Sequence, residues 1–71
     1  MNATEASLRN EVRHLAEEAF HRKLISGYGD GPDVSEFQIV LEGKPRHFPL
    51  EQARSFLTAL LADSDGLDKL I

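Results

Sequence analysis

Seventy-one residues with a formal charge of −4 and no cysteine describe one small acidic domain that neither disulfides nor thiolate-bound metal can reinforce. A single core of this size buries only about 60% of the unfolded chain's surface, so stability is expected to be marginal and association is the reinforcement left open. The acidic balance argues against generic binding of nucleic acid, whose affinity comes from clustered Lys and Arg. No apolar run approaches the roughly 18 residues of a membrane helix, and the opening MNATEASLRN lacks the basic start and apolar centre of a signal peptide. A soluble, cytoplasmic chain is the expectation.

Leu8, Val12, Leu15, Ala16, Ala19 and Phe20 recur at steps of three and four, the stripe of an amphipathic helix. Asn2 with Glu5 suits its start, Arg22 and Lys23 its negative end, and Ser26-Gly27 a left-handed stop, which predicts a helix over about residues 3–25. Glu5 precedes Arg9, Arg13 precedes Glu17 and Glu18 precedes Arg22 by four residues each, a self-neutralised solvated face. Glu11-x-x-His14 and Glu18-x-x-His21 repeat the spacing with which di-metal bundles present a Glu and a His. That row lies opposite the apolar stripe and faces water in a monomer, so no metal is assigned. Only a dimer packed through this polar face would make a site.

The stretch ISGYGDGPDVSE places Gly27, Gly29 and Gly31 at alternate positions. A phosphate-binding loop follows a strand and opens a helix; these glycines follow a helix and lead to a strand, without the Lys-Ser/Thr of a P-loop. Asp30, Asp33 and Glu36 match no calcium loop, and neither do Asp63, Asp65 and Gly66 near the end of the chain. Residues 26–35 therefore read as a helix-to-strand connection, with Gly27 to Asp33 mobile and Tyr28 folded back on the core.

Phe37, Ile39 and Leu41 alternate with Gln38, Val40 and Glu42, the period of a half-buried strand. Gly43-Lys44 can turn the chain into a return strand, predicting a hairpin over 36–49 with Ile39 opposite Phe48, Leu41 opposite Arg46 and Val40 opposite His47. Leu50, Ala53, Phe56, Leu57, Leu60 and Leu61 then return to helical spacing, a second helix over 50–62, and 63–71 read as a turn and tail whose Leu67, Leu70 and Ile71 cover an edge. The fold class expected is α+β, in the order α-β-β-α. Leu8, Val12, Leu15, Ala19, Phe37, Ile39, Phe48, Ala53, Phe56, Leu57 and Leu60 form its core.

Catalysis finds little support. His14, His21 and His47 are the acid–base candidates, but a 71-residue domain built on a hairpin has little room for the enclosed site that proton transfer needs, no Ser or Thr stands in a nucleophile motif, and no cofactor motif is present. The function expected is a non-catalytic protein-interaction module, a homodimer that also binds another protein. Its first strand is the candidate contact, because Pro45 and Pro49 blunt the return strand while Glu36 to Glu42 is unprotected. Two copies pairing there would complete a four-stranded sheet; cover of the edge by the tail, or contact through helix faces, are the alternatives. The candidate partner-binding residues are Glu36, Gln38, Val40, Glu42, Lys44, Arg46 and His47. The last three supply the only local basic cluster, which a regulatory or nucleic-acid-associated protein would use at the hairpin tip, and an acidic inhibitor mimicking nucleic acid is the third reading.

Overall fold

The first apolar stripe forms helix α1 (Ala3–His21) and the second forms α2 (Leu50–Leu70) in a computed structural model, which describes the backbone of residues 3–31 and 35–70 and the side chains of residues 6–31 and 35–63. Between the helices run β1 (Gly27–Asp30), β2 (Glu36–Leu41) and β3 (Lys44–Pro49), in one antiparallel sheet of order β1-β2-β3. The class is α+β, with three strands where two were expected.

The added strand comes from the glycine-rich connection. A lone hairpin leaves one side of β2 with unpaired N–H and C=O groups, and β1 takes them, with Gly27 opposite Val40, Gly29 opposite Gln38 and the Gly31 N–H donating to Glu36 O at 3.2 Å. Gly27 to Asp30 is thus a paired strand rather than a loose loop; Asp33 lies outside the described residues. The edge proposed for dimerisation, Glu36 to Glu42, does not exist as an edge. Because β2 is the central strand, it cannot pair with a second copy, and no four-stranded sheet forms through it.

Both helices pack on the face that carries Phe37 and Ile39. Val12, Ala16 and Ala19 of α1, Ile25, Phe37 and Ile39, and Leu50, Ala53 and Leu57 of α2 form the buried cluster, ringed by half-buried Leu8, Leu15, Phe48, Phe56 and Leu60. The small side chains of Ala16, Ala19 and Ala53, each 0% exposed, let the helices approach closely. Ala16, Ile25 and Leu50 join the expected core. Phe20, expected on the apolar stripe, is largely exposed.

Each helix ends elsewhere than expected, for a backbone reason. In α1, Lys23 adopts a left-handed φ of 64°, Leu24 N–H donates to Ala19 O at 2.9 Å and Lys23 N–H to Phe20 O at 3.0 Å, a Schellman motif that stops the helix before Ser26-Gly27 is reached. Glycine suits that position better than lysine. Lys23→Gly should raise stability by about 0.5–1 kcal/mol, seen as a higher denaturant midpoint at unchanged slope. A lower midpoint would mean that the lysine side chain contributes more than its backbone strain costs. In α2, Asp63, Asp65 and Gly66 do not end the helix, which continues to Leu70, because one interior glycine costs only about 1 kcal/mol while each added residue gains a hydrogen bond. The side chains of Leu67 and Leu70, the residue Ile71, and the Asn2 cap lie outside the described residues.

The hairpin register also differs. Phe37 pairs with Phe48, Ile39 with Arg46, Val40 with Pro45 and Leu41 with Lys44, two residues from the expected alignment. The turn is Glu42-Gly43, with φ of 51° and 80°, so glycine takes the second central position of a type I′ turn instead of the first of a II′ turn. A slip of two preserves which side chains face the core, since strand side chains alternate with period two.

Candidate functional site

Pairing decides which face each sequence-predicted contact residue occupies. Glu36, Gln38 and Val40 lie half-buried on the outer face of the sheet, away from the helices, and exposed His47 joins them opposite Gln38, whose Oε1 accepts a hydrogen bond from His47 Nε2 at 3.0 Å. Glu42 sits in the turn. Lys44 and Arg46 pair with Leu41 and Ile39, which puts them on the opposite, helix-bearing side. The predicted set therefore does not form one surface, and the basic cluster at the hairpin tip is divided between two faces.

The edges of the sheet are unequal. Leu50 N–H donates to Ser35 O at 3.1 Å, which sets the phase of the β2–β3 ladder: Lys44, Arg46 and Phe48 bond inward, while Pro45, His47 and Pro49 point away. Two of the three outward positions on β3 thus have no N–H. On β1, Gly27, Gly29 and Gly31 bond to β2, so Tyr28 and Asp30 present their N–H and C=O groups outward. Among the described residues no backbone group pairs with them. The exposed edge is β1, made of the residues the glycine pattern had suggested were mere connection.

Beside that edge stand the two large apolar side chains that are exposed among the described residues. Phe20 is 44% exposed and Tyr28 36%, and their rings meet edge to face at 5.8 Å between centroids. Tyr28 also lies nearly parallel to buried Phe37, at 6.3 Å and 17°, which props its ring against the core. Two residues further along β1, Asp30 Oδ1 accepts from Arg9 Nη1 at 3.1 Å and from Arg13 Nη2 at 3.0 Å. Arg13 was expected to pair with Glu17. It reaches Asp30 instead because β1 runs beneath α1, while Glu17 lies 3.9 Å from His21. A cleft of about 330 Å³ bounded by Arg13, Tyr28, Gly29, Asp30 and Phe37 follows the edge, and a second of about 600 Å³ lies between Phe20, Lys23, Leu24 and Glu42.

The remaining candidates are engaged separately. Glu11 accepts from Arg54 of α2 at 3.4 Å and Glu18 from Arg22 at 2.8 Å, while His14 and His21 are exposed, so the Glu-His row of α1 is dispersed into ion pairs. Among the described residues no three His, Asp or Glu side chains converge to hold a metal ion, and no helix is long and apolar enough to cross a membrane. Asp63 is exposed; the side chain of Asp65 and the residue Gly66 beyond its helical backbone lie outside what is described. The chain matches no family model, no curated protein and no solved structure.

Proposed function

We propose that the chain is a non-catalytic protein-interaction module that works as a homodimer, with its contact surface on the α1–β1 side. One observation carries the reading: the two large apolar side chains exposed among the described residues, Phe20 and Tyr28, touch each other beside the sheet edge that is not blunted by proline. Exposed rings supply apolar area, and an open edge supplies directional backbone bonds that set alignment. Their coincidence favours a docking surface over scattered apolar exposure. A domain of this size also gains core by association.

Sedimentation from micromolar to millimolar concentration tests it. The wild-type chain should approach twice the monomer mass, and Phe20→Ser should weaken self-association about tenfold with an unchanged circular-dichroism spectrum, since this ring is already partly in water. A wild-type chain that stays monomeric at high micromolar concentration, or a Phe20→Ser variant with the same dissociation constant, would sink the reading.

A further inference from the structure

The phase of the β1 ladder restricts how a second copy can dock on this edge. We propose that two copies pair antiparallel along β1 about a two-fold axis at Gly29, joining the two three-stranded sheets into one continuous sheet with the helices on a single face. The proposal rests on the homodimeric reading above and specifies its contact.

Only outward-pointing residues can exchange hydrogen bonds with an added strand, and on β1 these are Tyr28 and Asp30. An axis at Tyr28 sets Tyr28 against its own copy and Asp30 against the partner's Ser26, whose N–H is already committed to Val40 O at 2.7 Å. An axis at Asp30 sets two carboxylates directly opposite one another, which is repulsive. With the axis at Gly29, Tyr28 pairs with the partner's Asp30 and Asp30 with the partner's Tyr28. Every outward N–H and C=O of both strands is then bonded, with no like charges opposed.

The side chains fit the same register. Tyr28 lies on the helix side, so its ring falls beside the partner's Asp30 and the arginines that hold it, a place where a guanidinium stacks well on an aromatic face. Phe20, already against Tyr28, closes the flank between the two α1 helices. Gly29 faces the partner's Gly29 on the outer face, at the pair without mutual hydrogen bonds where strands approach most closely. In a single copy a Cβ at Gly29 meets nothing within 4 Å, so substitution there reports on pairing rather than on folding.

Gly29→Lys and Gly29→Glu, each alone and in equimolar mixture, test the axis by sedimentation with circular dichroism as the folding control. Each variant alone should self-associate about fivefold more weakly, because like charges face each other, and the mixture should recover at least wild-type strength through the Lys–Glu pair. Since the chain has no cysteine, Gly29→Cys should also close a disulfide across the axis on mild oxidation, much faster than His47→Cys on β3. A wild-type dimer whose dissociation constant neither charge alters, or a weakening that the mixture does not repair, overturns the Gly29 axis and leaves the homodimeric reading standing. A wild-type monomer at high micromolar concentration overturns both, and leaves the edge to a strand from another protein.

Discussion

Phe37→Ala should leave a large fraction of the molecules unfolded at 25 °C. Phe37 is 1% exposed on the central strand, with the helices above it and Tyr28 beside it, so truncation removes a whole buried ring and leaves a cavity that neighbours on three elements cannot all fill. Such changes cost about 3–5 kcal/mol. At about 0.05–0.15 kcal/mol per residue, a chain of 71 residues has only about 4–11 kcal/mol in total. The loss is therefore comparable to the whole stability. Phe56→Ala should cost less, because that ring is half-buried and leans on Phe48, its neighbour at 5.2 Å, near the border of the cluster. Urea titration at one fixed protein concentration checks both, since self-association would otherwise shift the midpoint. A Phe37→Ala protein that melts within a few degrees of wild type would contradict the assignment of Phe37 to the centre of the core. The same substitution bears on function, since Tyr28 loses the surface that holds its ring at the β1 edge.

The second large effect is expected at Gly31. A Cβ there would stand 2.9 Å from the Glu36 carbonyl carbon, 2.9 Å from its Cβ and 3.0 Å from its O, and most of these atoms belong to backbone that cannot swing aside. Gly31→Ala should cost about 1–3 kcal/mol by forcing β1 away from β2. Gly29→Ala should be neutral or stabilising by up to about 1 kcal/mol, because the site is open and the unfolded chain loses freedom. The two alanine variants share chemistry and strand neighbourhood and differ in the space around the new methyl group. Equal stabilities would refute the close approach at Gly31. Amide exchange gives a finer reading: in dilute, monomeric solution Gly29 and Gly31, bonded to β2, should be protected relative to Tyr28 and Asp30, whose N–H groups point outward, and the difference should vanish at concentrations where the dimer forms.

The three alternating glycines thus have unequal roles. Gly31 answers to sterics, Gly29 leaves open space on the outer face, and Gly27 lies at ordinary contact distance, 3.7 Å, from Val40. Their period of two was itself the sign of a strand, with the glycines on one face and Tyr28 and Asp30 on the other. In sequence the segment resembles a connection, because glycine carries no hydrophobic signal and is the residue most typical of turns. The edge differs for the same reason: without β1, the strand from Glu36 onward has the pattern of an edge, whereas it is the central strand of the sheet.

By itself the sequence determined both helices, the alternation of β2, and most of the residues that meet in the core, because those properties depend on periods of 3.6 and 2 written along a single segment. Outside the turn, where Glu42 and Lys44 exchange places between strand and turn, the face of the hairpin residues survived a different register, since a slip of two leaves the pleat unchanged. Tertiary structure decided what depends on a remote partner. β1 is a strand because β2 offers it a ladder, Arg13 reaches Asp30 rather than Glu17 because β1 lies beneath α1, and Tyr28 stays at the surface because Phe37 holds its ring there. Helix α1 stops after His21 because the backbone closes a Schellman motif at Lys23 and turns toward the sheet, although lysine has no preference for that conformation. Local patterns specify which segments are regular and which way they face; pairing energies between distant segments choose the neighbours, and with them the edge that is left open to a partner.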